Sequence, residues 1–173
     1  VRNASGEITN AVIISPYYSG DSTFMWHFWF PGVGNAGLAG GNPIVGPGEE
    51  IDTNKYYVVF LDALGLWGAS KPSDGLGPDF PQYSYFDMVQ ANYQLLRDHL
   101  NVANVHLATG VSMGATQTWV WGVMYSPSGF VDAIMPIGGA TASDSADPVG
   151  QWTYRLATAA LESDPIWRAT DRR

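Results

Sequence analysis

The residues best suited to chemistry are Gly110-Val111-Ser112-Met113-Gly114. A serine hydroxyl serves as a nucleophile when a sharp turn holds it clear of its neighbours. Such a turn needs small residues two positions away on either side, and the glycines at 110 and 114 meet that need. The pattern is Gly-x-Ser-x-Gly, and it predicts a nucleophile elbow with Ser112 as the attacking group. The backbone N–H of Met113, first in the following helix, is then placed to donate to a developing oxyanion. The alternative is an ordinary glycine-bounded turn with a solvated serine.

An elbow works only between a strand and a helix. Residues 105–109 read as a short buried strand, and residues 113–125 as a proline-free helix. The serine also needs a base, usually a histidine held by a carboxylate. The chain has three histidines. His106 lies six residues before Ser112 on the same strand, about 20 Å away at about 3.3 Å per residue. His99 ends a helix antiparallel to the strands, at the opposite edge of the sheet. His27 follows the first strand on the correct edge, but packing within the aromatic run 24–30 is its expected role. Asp144, after a later strand, is a spare candidate for the acid. The chain thus has a nucleophile and no matching base. The base is expected on sequence outside this chain, as a further segment or a second polypeptide carrying the catalytic Asp and His.

Composition narrows the partners. The chain has 173 residues, 46% hydrophobic and 14% charged, which suits one globular domain with a core. Net charge is −8, and the eight Lys and Arg form no cluster, so neither nucleic acid nor a membrane is an expected partner. With no cysteine there is no disulfide, thiolate metal site or thiol nucleophile. No metal is expected. Lack of cysteine suits cytosol and periplasm alike, so the compartment stays open.

The remaining elements read in order. Residues 10–15 form an apolar strand ended by Pro16, and a turn-rich loop follows. Residues 24–30 are a dense aromatic patch expected to pack under a loop, with a wall of the substrate site as the alternative. Residues 31–48, with seven glycines and three prolines, read as a long loop. Gly32, Gly34 and Gly37 make a formal G-x-G-x-x-G there. No helix follows and no βαβ unit surrounds it, so a dinucleotide site is rejected. Residues 56–61 form a strand ending at Asp62, which either orients the next loop or stands solvated. A helix spans 85–100 with Ser84 as N-cap and an apolar stripe of Phe86, Val89, Tyr93, Leu96 and Leu100. Residues 131–139 read as a strand that Pro136 makes irregular, and 150–161 as a last helix broken at Asp164-Pro165. Alternating strands and helices predict an α/β fold, a mainly parallel sheet with helices on both faces.

Several stretches are similar to one family. Residues 10–21 resemble the first core strand and oxyanion loop of the homoserine O-acetyltransferase branch of the α/β-hydrolase superfamily. Residues 46–57 resemble its Gly-Pro-Gly…Ile-Asp-Thr…Tyr-Phe segment, and Phe80-Pro81…Asp87-Met88-Val89 its Phe-Pro…Asp-Met-Val stretch. Ser112 to Gln117 resembles its Ser-Met-Gly-Gly-Met-Gln turn, and Ser163-Asp164-Pro165 a late Ser-Asp-Pro. The resemblance implies an α/β-hydrolase fold, with residues 1–165 the N-terminal part of the catalytic domain. Residues 166–173 are then a polar tail or the start of a lid. It implies Ser112 as nucleophile forming an acyl-enzyme, with the backbone N–H groups of Tyr18 and Met113 as oxyanion hole. No cofactor is implied beyond acetyl-CoA as co-substrate. The small-molecule partners are an acyl donor and an alcohol or water acceptor, and a homodimer is compatible.

Two departures bear on the reaction. Pro16-Tyr17-Tyr18-Ser19-Gly20 stands where the family reads His-Ala-Leu-Thr-Gly, so two tyrosines narrow or reshape the acyl pocket. The family's substrate-holding arginine falls near Ala157, with Arg155 offset. Homoserine's carboxylate then lacks a charge-assisted partner there. Transfer to an alcohol and hydrolysis of small acyl esters both stay open, as does a non-catalytic lobe that only binds.

Overall fold

The computed structural model describes residues 2–29, 44–139 and 148–166. Its centre is a four-stranded parallel sheet. β1 (Ala11–Ser15), β4 (Tyr57–Phe60), β5 (Val105–Val111) and β6 (Val131–Ile137) lie in the order β4-β1-β5-β6. The register sets Ser15 opposite Gly110, and Gly110 opposite Pro136, so three strands end together at one edge.

β1 is buried at every position because side chains alternate across a sheet covered on both faces. Ala11 and Ile13 join a core with Leu61, Val89, Leu96, Val105, Ala108 and Trp121. That side is covered by α2 (Tyr85–Gln94) and α3 (Met113–Tyr125). Val12 and Ile14 point the other way, onto Met25 and Trp29 of α1 (Ser22–Trp29). Val45 of β2 (Val45–Gly46) and Ile51 of β3 (Ile51–Asp52) complete that second core. α4 (Pro148–Ser163) follows β6.

Four expectations need correction. The aromatic run 24–30 does not pack under a loop; residues up to Trp29 are helical. Asp21 starts that helix, since its carboxylate accepts the Phe24 N–H at 2.7 Å and its carbonyl the Met25 N–H at 2.8 Å. The long loop 31–48 ends early, because Val45–Gly46 pairs with Ile51–Asp52. The helix predicted over 85–100 is α-helical only to Gln94 and closes as one π-helical segment, Leu95–His99. Its stripe is shifted at the start: Phe86 is exposed while Met88 and Asn92 are buried. Pro136 causes no break in β6, which continues in register to Ile137. Among the described residues β6 pairs on one side only, and an edge strand tolerates the missing N–H. The formal glycine motif at 32–37 lies outside the described residues.

Ser84 begins α2 as expected. The Asp87 carboxylate accepts both the Ser84 N–H at 2.8 Å and its hydroxyl at 2.7 Å. These bonds hold Asp87 below the ordinary aspartate range.

Candidate active site

Ser112 sits at the turn between β5 and α3, with φ 56° and ψ −119°. That backbone conformation is unfavourable for any residue with a Cβ, costing about 1–3 kcal/mol, and persists only where the surroundings enforce it. Here they do. The Ser112 N–H donates to the Ile137 carbonyl at 3.0 Å, and the Ser112 carbonyl accepts from Ala115 and Thr116 at 2.9 and 3.2 Å. The Thr109 hydroxyl donates to the Met135 carbonyl at 2.7 Å, joining β5 to β6 just below the turn.

The glycines do the work expected of them. A Cβ on Gly110 would lie 2.6 Å from the Gly114 backbone and 2.8 Å from the Ser15 carbonyl oxygen. A Cβ on Gly114 would lie 2.3 Å from that same oxygen. The first turn of α3 therefore rests directly on the end of β1. The resulting turn leaves Ser112 exposed. Met113 is the first residue of α3, so its N–H has no carbonyl four residues back to serve. Among the described residues no backbone carbonyl takes the N–H of Met113 or of Tyr18.

Tyr18 follows the β1 end in a turn closed by the Gly20 N–H on the Tyr17 carbonyl at 3.0 Å, and its ring is exposed. Tyr17 is half-buried, with its ring over Gly20 and edge-on to Phe24 at 6.0 Å. Burial, and then the nearby Asp21, push its phenol up, so it stays protonated at neutral pH.

No histidine bonds to Ser112. His106, at the far end of β5, stacks on Tyr56 at 5.2 Å and faces Asp132 at 3.5 Å. His99 is exposed at the end of the π-helical segment. His27 is not packed among the aromatics as expected. It is exposed on α1, the helix covering the opposite face of the sheet from α3, and its Nδ1 meets the Thr23 carbonyl at 2.7 Å. A helix rather than a loop accounts for that outward aim. Asp144 lies outside the described residues. Among the described residues no group of His, Asp or Glu could hold a metal ion, and no helix is long and apolar enough to cross a membrane.

Asp62 orients rather than dangles. Its carboxylate accepts the Ser22 N–H at 2.6 Å and the Ser22 hydroxyl at 2.9 Å, tying the loop after β4 to the start of α1. Gly68 is pressed against it, since a Cβ there would lie 2.5 Å from that carboxylate. Next to it is a cleft of about 580 Å³ lined by Leu64, Ser70, Lys71, Asp74 and Asn92, with Ser112 outside its wall. Sequence reasoning missed the Asn92 amide, which donates to the Asp62 carbonyl at 3.1 Å. A polar residue on the inner face of a helix was the available signal.

Comparison with known proteins places this geometry. No family model matches the chain. It is 37% identical over 135 residues to a homoserine O-acetyltransferase of Corynebacterium urealyticum, covering 74% of this chain and 33% of that protein. It is 33% identical over 181 residues to a homoserine O-acetyltransferase of Rhodospirillum rubrum, covering 99% of this chain and 43% of that one. Among solved structures, the acetyl esterase MekB superposes with a TM-score of 0.76 at 26% identity, over 100% of this chain and 45% of that one. The chain thus spans less than half the length of the relatives it matches. Over that span the parallel sheet, the glycine-bounded turn and the homology agree, and the chain belongs to the homoserine O-acetyltransferase-like branch of the α/β-hydrolase superfamily.

Proposed function

We propose that the protein is a serine-dependent acyltransferase acting through an acyl-enzyme, with Ser112 as nucleophile. The observation that carries this reading is the strained backbone of Ser112, held at φ 56° with its side chain exposed at the end of the sheet. Strain of that kind is maintained where a reactive group must be presented. In the proposed reaction the Ser112 oxygen attacks the carbonyl carbon of an acetyl ester or thioester, acetyl-CoA being the thioester donor. The Ser112 proton passes to a base, and the carbonyl oxygen takes up the negative charge. The backbone N–H groups of Met113 and Tyr18 receive that charge. One such donor is worth about 3 kcal/mol. The leaving alcohol or thiol departs with the proton from the base. An acceptor hydroxyl then gives its proton to the base as it attacks the acyl-enzyme, and the Ser112–acyl bond breaks with that proton returned to Ser112. A histidine held by a carboxylate, on sequence outside this chain, supplies the base, because none of the chain's three histidines bonds to Ser112.

A second reading, hydrolysis with water as acceptor, is favoured by one specific observation. Ala157 stands near the family's substrate-holding arginine. Arg155 is two positions away on α4, on a different side of the helix at 3.6 residues per turn. The likeness to an acetyl esterase points the same way.

The test uses the full protein. A fluorophosphonate reagent is expected to label Ser112, and Ser112→Ala to abolish labelling; equal labelling of the variant would show that the nucleophile is another residue. Ester turnover with and without homoserine separates the two readings. Acceleration with O-acetylhomoserine formed supports transfer, and an unchanged rate with acetate formed supports hydrolysis.

A further inference from the structure

We infer that Gln117 is a positioning residue for the oxyanion loop. This inference rests on the acyl-transfer reading above. Gln117 lies five residues after Ser112, in the second turn of α3, and is completely buried. Its Nε2 donates to the Pro16 carbonyl at 3.4 Å, across 101 positions of sequence. Among the described residues its Oε1 has no hydrogen-bond partner. A buried amide with one oxygen unsatisfied is a poor stabilising device, since the orphan oxygen loses its water and gains nothing. An apolar side chain of the same shape would pack there at less cost. What the amide offers instead is a fixed direction for one peptide plane.

That plane is the Pro16–Tyr17 peptide. Pro16 lies just past the end of β1 and has no N–H of its own to donate. One residue later comes the peptide that carries the Tyr18 N–H. The Pro16 carbonyl also lies 3.0 Å from where a Cβ on Gly114 would stand, so the loop and the first turn of α3 meet at this point. Gln117 links the helix that carries the Met113 donor to the loop that carries the Tyr18 donor. The spacing of the two donors then depends on this side-chain bond together with the close approach at Gly114. Gln117 touches no reacting atom in this scheme.

The experiment compares Gln117→Met and Gln117→Glu with the unaltered full protein, using p-nitrophenyl acetate and a trifluoromethyl ketone. The ketone forms a tetrahedral oxyanion on the serine and so reports the oxyanion hole. Gln117→Met is expected to lower kcat by about tenfold or more. It should weaken the ketone by a similar factor, leave KM within about twofold, and keep or raise Tm. Gln117→Glu keeps the shape. Burial holds its carboxyl neutral, able to donate, until its raised pKa is passed, so its activity should fall as pH rises while that of the unaltered protein does not. A Gln117→Met protein with unaltered kcat and ketone affinity overturns the inference. So does a loss of kcat with ketone affinity unchanged. Should Gln117→Met fail to fold, the pH profile of Gln117→Glu decides alone, and a profile like that of the unaltered protein refutes the role. Hydrolysis that survives Ser112→Ala refutes the acyl-transfer reading itself, whatever the Gln117 variants do.

Discussion

Replacing Gly114 by alanine tests the seam between β1 and α3 directly. Alanine favours a helix over glycine by about 1 kcal/mol, so local propensity alone predicts a gain in stability. The new Cβ, however, would lie 2.3 Å from the Ser15 carbonyl oxygen and 2.9 Å from the Ser15 carbonyl carbon. Carbon and oxygen approach comfortably to about 3.3 Å. Strand end and helix start must therefore separate by about 1 Å. Overpacking of this size costs about 1–3 kcal/mol, which after the helix gain leaves about 0–2 kcal/mol. For a chain of this length 1 kcal/mol moves Tm by about 2–4 °C, so Tm should fall by no more than about 8 °C. The effect on rate is expected to be larger, because a 1 Å displacement of catalytic groups costs about a hundredfold. Gly122→Ala serves as the control. It is the same change on the same helix, but its Cβ meets the far end of the Ile134 side chain at 2.8 Å, which can rotate aside. Thermal melts and acetyl-ester turnover of the full protein, measured on both variants, check the reasoning. A Gly114→Ala protein that turns over ester as fast as Gly122→Ala would falsify the claim that this seam sets the donor spacing.

Two further outcomes follow from the loops. Asp62→Ala strips the Ser22 N–H and hydroxyl of their shared acceptor. It should cost about 1–3 kcal/mol, and hydrogen exchange at Ser22 should accelerate; unchanged exchange would mean the tie is idle. Asp52 is held below the ordinary aspartate range by the Gly48 and Asn54 N–H groups, with Lys55 adding less. A carboxyl with a depressed folded pKa stabilises the fold above its unfolded value, about 3.9, and loses that contribution as pH falls through the folded value. Asp52→Asn should flatten the fall of Tm below about pH 4; an acid limb identical to that of the unaltered protein refutes this.

Much of the fold was legible because its signals are local. Runs such as residues 10–15 and 105–109 are long enough in branched and apolar residues to be strands on their own. Glycines at 110 and 114 announce a tight turn whatever surrounds them. The aromatic run 24–30 misled because aromatic side chains suit strands and loop packing as well as helices. What decides it is the Asp21 cap, aided by the Asp62 carboxylate forty residues away. Phe86 misled because periodicity alone does not say which side of a helix faces the sheet. Met88 and Asn92 occupy that side.

The sequence by itself determined that a serine stands between two small residues at the junction of a strand and a helix, and that no histidine follows it in the chain. Those are facts of residue type and order. Only the tertiary structure decided that the glycines are needed for the approach of α3 to the β1 carbonyls. The same is true of Gln117, which reaches Pro16 across the seam, and of His27, which faces away on the other side of the sheet. These depend on which strands are neighbours and in what register. Such pairing is set by burial summed over the whole sheet, and no short stretch of sequence carries it.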